Sequence, residues 1–419
     1  AASWSSGLAV AMLPGRVVVM GRSKQVVVSV GCFPRRGIMA DRRHLCIVGG
    51  GIVGLAHAWA AAEQGWRVTV FERGRIAEGA SIRNFGMVWP VGQPAGEPLA
   101  TALRSRRRWV QLAAAAGIRA EVVGSIHIAR HDDEWTVFRE FVERGADLGY
   151  DVKLLTAAEV RARSPAVADG LIGGLWSGTE VAVDPPAAVA GATRWLAAAQ
   201  GVEFRFQTAV SAVETGFIRT ADGRAWPCDR VIVCAGSDFE TLFPEVFAAA
   251  QATGLTRCKL QMLSTVPQPA GFRIGPHLAG GLTLRHYRSF EICPSLQVVR
   301  DRVTAEAPEL DRYGIHVMAS QDAAGRVILG DSHEYDAEMS PFDSGAIEAL
   351  ILRELHQLID LPDWTIERRW HGVYAKYPAA LQIALEPVPE VWIRTGPGGA
   401  GMTLSFGLAE REWEQAGSP

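Results

Sequence analysis

Apolar and polar residues fall into clear periods along much of the chain. His44 to Val48 is a brief apolar run of strand length, and Gly49 to Gly54 is glycine-rich. Ile52 to Gln64 carries Ala, Leu and Trp at helical spacing, and Arg67 to Phe71 alternates as a second strand. Strand, glycine turn, helix and strand in that order predict a βαβ unit. Further on, Pro186 suits a first helical turn, opening an Ala-rich helix that runs to Gln200, and Val202 to Phe206 follows as a strand. Short strands flank the Asp222-Gly223 turn, and Arg230 to Ala235 reads as a buried strand stopping at Gly236. The stretches Val88 to Asp184 and Ala250 to Arg369 mix helices, as at Asp133 to Leu148 and Gly345 to Leu361, with strands such as Gly325 to Gly330. No internal repeat stands out.

The first glycine cluster defines a chemistry. Gly49 permits the tight turn out of the strand, Gly51 lets a pyrophosphate approach bare backbone, and Gly54 lets helix and strand pack closely. Ile52 and Val53 then open the helix, whose unpaired N–H groups and positive dipole end stabilise a diphosphate. Glu72 ends the next strand, where its carboxylate can accept both hydroxyl protons of an adenosine ribose and would repel a 2′-phosphate. Arg73 and, on a later strand, Val210 are assigned to the same site. This constellation predicts dinucleotide binding but does not separate FAD from NAD. The segment Gly79 to Gly86 does, because Ser81, Arg83, Asn84, Phe85 and Gly86 supply a second grip on the diphosphate and ribityl chain that NAD enzymes do not need. The strand ending in Ala235 and Gly236 would abut the cofactor from the other side. The late run with Gly396, Gly399, Gly401, Met402 and Thr403 is dense enough in glycine to lie against a ring. A helix starting just after Thr403 would aim its N-terminus at the flavin pyrimidine and stabilise the anionic reduced ring.

The fold class expected is α/β (α+β two-domain). A Rossmann-like FAD-binding domain is built from residues 41–88, 185–249 and 370–419, and a mixed-sheet substrate domain from residues 89–184 and 250–369 is inserted in two pieces. The 419 residues exceed what one core usually fills. With 48% hydrophobic and 21% charged residues the chain is too apolar to be disordered. Residues 1–40 carry Arg16, Arg22, Lys24, Arg35 and Arg36 with no acid before Asp41 and lack an amphipathic helix pattern, so they read as a leader or non-native extension. The net charge of −3 gives no global field for nucleic acid or anionic lipid, and an anionic substrate must be held by local charges. No apolar stretch approaches the roughly 20 residues of a membrane span. The six cysteines stand singly without CxxC spacing, as buried thiols of a reducing cytoplasm would.

Gly49 to Gly54, Glu72, Gly79 to Gly86, Val231 to Gly236 and Gly396 to Thr403 together resemble the D-amino-acid oxidase, glycine oxidase and sarcosine oxidase family of flavoproteins, over nearly the whole chain from Arg42. Ser81 to Pro90, Leu282 to Tyr287 and Gly372 to Pro378 resemble a narrower group associated with aminophosphonate breakdown. The resemblance implies hydride transfer from the carbon beside an amine to flavin N5, then hydrolysis of the imine, with a 2-aminoethylphosphonate-like amine as substrate. The reoxidant is oxygen or an unknown carrier. Monomeric sarcosine oxidases tether their flavin through a late cysteine, whereas no cysteine follows Cys293 here, so the FAD is expected to be noncovalent.

Only a neutral amine can lose the hydride, and an apolar pocket favours that form by penalising charge. No obligatory acid or base is named. For the acidic end, Arg285 to Arg288 reads as a strand-like run with Arg285 and Tyr287 on one face, and Arg285 suits paired anionic oxygens. Lys376, His371 and Arg394 are further cations near the late glycine loop, and Trp89 and Tyr374 are candidate walls. Arg104, Arg106, Arg107 and Arg108 read as a solvated helix face. His127, His131 and His333 lack metal-ligand spacing, so no metal is assigned. The absence of a GxSxG elbow leaves hydrolase chemistry unsupported. The alternatives are oxidation of a carboxylate amine (sarcosine, glycine or a D-amino acid) and a flavoprotein subunit without turnover of its own.

Overall fold

A computed structural model describes residues 42–336 and 338–417, with the backbone of three strands, Ala9–Leu13, Arg16–Gly21 and Lys24–Val28. Those three pair antiparallel in a sheet of their own, within a unit separate from the one formed by residues 43–419. The expectation of a leader falls largely outside the described residues.

From Arg43 onward, two sheets organise the chain. The six-stranded sheet runs Glu203–Arg205, Arg67–Phe71, His44–Val48, Arg230–Val233, Val391–Thr395 and Ile383–Val388. Its first five strands are parallel and the last antiparallel. The central strands are apolar on both faces because both are covered. Leu45, Ile47, Val68 and Val70 pack with Leu55 and Trp59 of helix Ile52–Glu63 and with Phe406 of helix Gly401–Gly417. On the opposite face Cys46, Val231 and Val233 pack with Ile218 of a three-stranded antiparallel sheet.

The second, nine-stranded sheet is mostly antiparallel, and His277–Gly280 runs parallel to Ser125–Ala129 within it. Its longest pair, Thr256–Pro267 with Ile366–Lys376, carries the chain back towards the first sheet. That strand crosses the expected boundary at residue 370. Leu263, Leu278 and Leu329 of this sheet pack against Ile347, Ile351 and Leu355 of helix Gly345–Leu358.

Three local expectations need correction. Arg285 to Arg288 is no strand: Gly281–Arg285 and Arg288–Ile292 are short 3-10 turns, so alternation does not sort their side chains. The last helix begins at Gly401, before Thr403. The arginines of helix Glu97–Ala116 are not simply solvated. Arg104 bonds Glu414 at 2.6 Å and Arg108 bonds Glu410 at 2.7 Å, which clamps this helix beside the last one, and Arg106 bonds the Thr179 carbonyl at 2.6 Å, while Arg107 is exposed as expected. No described helix is long and apolar enough to cross a membrane.

Candidate cofactor and substrate site

The parallel strands end, at their carboxyl termini, on a cavity of about 1150 Å3, larger than most single small-ligand pockets. Gly49 and Gly51 from the early glycine cluster and Gly396, Gly399 and Gly401 from the late one line the same cavity. Parallel pairing of His44–Val48 with Arg230–Val233, and of that strand with Val391–Thr395, delivers these distant loops to one sheet edge.

Two of the early glycines, Gly49 and Gly54, are required by space. Gly49 has φ +105°, and a Cβ there would lie 2.3 Å from the Cys234 carbonyl oxygen. A Cβ on Gly54 would meet the Gly49 carbonyl oxygen at 2.0 Å, and one on Gly51 would meet Ser81 Oγ at 3.0 Å. Ile52 and Val53 line the cavity at the helix start, and Ser81 Oγ accepts a hydrogen bond from the Ile52 N–H at 2.9 Å. Glu72 accepts from the Gly50 N–H at 2.9 Å and the Gly74 N–H at 2.8 Å, fixing the turns on either side of its carboxylate. Arg73 bonds Asp238 at 2.7 Å. Arg83, Phe85, Val210, Ala235 and Gly236 line the wall, as do Met402 and Thr403, whose Oγ accepts from the Trp89 N–H at 2.9 Å.

Two residues of the second-grip segment act differently from the expectation. Asn84 lines the cavity as expected but directs its amide into its own loop, donating to the Ala80 and Ser81 carbonyls and accepting from the Gly86 N–H. Gly86, at φ +73°, makes its close approach to protein: a Cβ would lie 2.1 Å from the Val183 carbonyl oxygen. Both shape the loop that holds Ser81.

On the substrate side Trp89, Tyr287, Tyr374 and Lys376 line the cavity. Arg285 does not. Its guanidinium is buried in an ion pair with Asp311 and bonds the Ile315 carbonyl at 3.0 Å, because the 3-10 turn points it away from the wall. Arg394 borders the cavity but is held by Glu412 and by the Leu385 and Ile393 carbonyls, and His371 pairs with Asp343 at 2.8 Å outside the lining. Among the described residues Lys376 makes no ion pair; its Nζ donates to the Tyr335 hydroxyl at 2.6 Å, and burial lowers its ammonium pKa.

A group that the sequence reading missed sits beside Lys376. His286, His316 and His333, from three separate segments, stack with ring centroids 4.3 to 5.4 Å apart, and with Asp331 all line the cavity. His316 Nε2 lies 3.0 Å from Asp331 Oδ1. Burial drives His333 down to about 4 and the other two well below the ordinary range, and raises the Asp331 carboxyl. Their ligand atoms lie within 4.8 Å of one another. The ring planes are within 29° of parallel, however, so the in-plane lone pairs run side by side and do not meet at one point about 2 Å from each nitrogen, as a metal requires. Only tertiary structure joins these three, and no sequence spacing signals them.

A parallel sheet ending on a glycine-lined dinucleotide cavity, with a mixed sheet closing the other side, defines an FAD-binding oxidoreductase fold. The chain belongs to the FAD dependent oxidoreductase (DAO) family, whose pattern matches residues 44–411. It is 24% identical over 358 residues to an opine oxidase subunit of Rhizobium meliloti, covering 81% of this chain and 84% of the relative. It is 26% identical over 211 residues to glycine oxidase of Geobacillus kaustophilus, covering 48% and 56%. Among solved structures, glycine oxidase from Bacillus cereus ATCC 14579 superposes with a TM-score of 0.71 at 19% identity, covering 89% of this chain and 94% of that one. L-proline dehydrogenase from P. horikoshii does so with 0.70 at 20%, covering 90% and 93%. The cofactor is FAD, and the cradle fits it: bare backbone at Gly49 and Gly51, a helix N-terminus behind them, and the Glu72 carboxylate at the neighbouring strand end.

Among the described residues the last cysteine, Cys293, does not line the cavity, and Cys234, which does, sits buried beside Gly49 with its thiol pushed up by burial and so unreactive. Acid precipitation is accordingly expected to leave the flavin in the supernatant; a yellow pellet after washing would show a covalent link.

Proposed function

We propose that this enzyme oxidises the C–N bond of a small amine bearing a phosphonate, of the 2-aminoethylphosphonate type. The observation that carries the reading is the cationic and imidazole-rich wall of Lys376, His286, His316 and His333 on the cavity shared by the two glycine clusters. Bound FAD supplies the two-electron acceptor. The chain supplies the rest: Trp89, Tyr287 and Tyr374 form an aromatic wall that excludes water and disfavours the ammonium form of the amine, while Lys376 orients the anionic end. With Arg285 and Arg394 engaged elsewhere, charge for the substrate comes from Lys376, and the neutral histidines offer hydrogen bonds. Neither of these two arginines offers a fork-like guanidinium, while Arg83 and Arg288 line the cavity with Arg288 at 3.5 Å from Glu291; the Lys376 point charge beside a row of imidazole donors supports the three-oxygen phosphonate over sarcosine, glycine or a D-amino acid. The five cysteines among the described residues are free and buried, which fits a reducing compartment that we take to be the cytoplasm.

The test is anaerobic flavin reduction. 2-Aminoethylphosphonate or its N-methyl form should bleach the flavin at least about tenfold faster than glycine, sarcosine or D-alanine, a difference of about 1.4 kcal/mol. The reverse order would establish carboxylate oxidation. A flavin reduced by none of them would favour the reading as a subunit without turnover, to which the relationship with the opine oxidase subunit lends support.

A further inference from the structure

We propose that the histidine stack is the receptor for the dianionic head of the substrate, and that binding of this head draws a proton onto the stack. The inference rests on the phosphonate reading above and adds the groups and the proton that accompany it.

The three imidazoles come from the turn after Arg285, from the stretch before strand Met318–Gln321 and from the loop after strand Arg326–Gly330, and all reach one wall of the cavity. Two of their ring nitrogens, His286 Nε2 and His316 Nδ1, are buried without a hydrogen-bond partner, and Asp331 Oδ1 has His316 Nε2 at 3.0 Å as its near neighbour. Unpartnered polar atoms in such a wall are costly in the free protein and are satisfied when a ligand supplies acceptors or a proton. A neutral imidazole offers one N–H and one lone pair, whereas a protonated one offers two donors and a positive charge. An oxyanion head with three oxygens can engage several of these donors together.

The surroundings set the protonation state. Arg285 lies near His286 and His316, Lys376 faces the whole stack, and these cations together with burial hold the rings neutral. Asp331 is the acid in contact with the group, and Tyr287 packs edge-on against His316. Tyr335 stacks on His333, and Cys258 and Tyr374 complete the neighbourhood of Lys376 and Tyr335. A monoanion opposite Lys376 is balanced by that ammonium alone. A dianion leaves one charge over, and in a site of low polarity the neutral imidazoles beside it are the groups able to take a compensating proton from solvent.

The experiment titrates the flavin-loaded protein with ethylphosphonate, which has no amine to oxidise, and with propionate as the carboxylate control. Calorimetry is run at pH 8.5 in two buffers of different ionisation enthalpy, and the free probe's own second ionisation, which lies above the roughly 6 of a phosphate ester because carbon withdraws less charge than oxygen, is titrated separately and subtracted. We expect uptake of about one proton per ethylphosphonate and an apparent Kd that rises about tenfold per pH unit, with propionate binding weaker and taking up no proton. His333→Gln and His316→Gln should reduce the uptake by at least about half and weaken ethylphosphonate by about tenfold, at unchanged flavin content. Absence of uptake in the unaltered protein, equal affinity for propionate, no binding of either probe, or a stoichiometric metal lost in His333→Gln would each overturn the proposal. The two readings fail separately. Flavin reduction by 2-aminoethylphosphonate without proton uptake removes this inference alone, and proton-coupled binding without flavin reduction removes only the amine oxidation.

Discussion

Gly54→Ala should yield a protein that folds its second sheet but loses its flavin. The added Cβ would lie 2.0 Å from the Gly49 carbonyl oxygen and 3.3 Å from Ile47 Cγ2, both part of the strand and turn that form the cofactor cradle. In a helix interior Ala is ordinarily better than Gly by about 1 kcal/mol, so propensity alone predicts stabilisation. Steric overlap reverses the sign. Backbone cannot rotate away as a flexible side chain would, and overpacking of this kind costs about 1–3 kcal/mol. Because relief requires helix Ile52–Glu63 to move off the strand, much of that cost appears as lost FAD affinity, about tenfold to a hundredfold. The measurement is flavin content after dialysis, read from the visible absorbance. Gly345→Ala is the control: it lies at a helix start with no atom within 4 Å of the new Cβ, and should retain full flavin. A Gly54→Ala protein with normal flavin content would refute the packing role.

The largest effect on stability should come from acid. His57, His127 and His277 are buried, with pKa values lowered by burial to about 4, about 3 and about 4, and His333 in the stack lies at about 4. In the unfolded chain each titrates near its ordinary 6.5. Between about 6.5 and 4 the unfolded state therefore binds protons that the native state does not, and stability falls as pH falls. At pH 5.5 each such histidine costs about 1.4 kcal/mol, and four together about 5 to 6, a large share of the 5–15 kcal/mol typical of a folded protein. Differential scanning calorimetry of the flavin-loaded protein should show Tm dropping by about 10 °C between pH 7.5 and 5.5. His277→Gln should shallow that slope. A Tm constant across the interval, with His277→Gln leaving the slope unchanged, would mean that these rings are already charged in the folded state; a constant Tm that His277→Gln still alters would mean that the buried Asp331, Glu134 and Glu180 carboxyls, raised by burial, offset them.

How much of this was legible in the sequence depends on the range of the interactions. Arg67–Phe71 occurs as a strand at the bounds its alternation predicts, and helix Ile52–Glu63 ends one residue short of the predicted end. Helix Pro185–Ala199 starts one residue early, and its Asp184 N-cap accepts from the Ala187 N–H at 3.1 Å. These elements are set by periodicity and end signals within a few residues, and such signals survive in one dimension. The turns at Arg285 to Arg288 were misread because four residues of alternating chemistry fit a strand and a turn equally well, and packing of Leu284 and Phe290 into the core selects the turn.

The site divides in the same way. By itself the sequence determined the dinucleotide cradle, since a glycine needed for a backbone approach is visible wherever the strand and helix around it are visible. It also led to the expectation that the late glycine cluster lies against the same cofactor, and the parallel pairing of three sheet strands is what brings the two clusters to one cavity. Tertiary structure alone decided the substrate wall. Arg285 is a free cation in one dimension and a buried partner of Asp311 in three, while His286, His316 and His333 are isolated residues until the turns and strands of the second sheet stack them. Charge and burial are properties of surroundings, and for these side chains the surroundings come from segments remote along the chain.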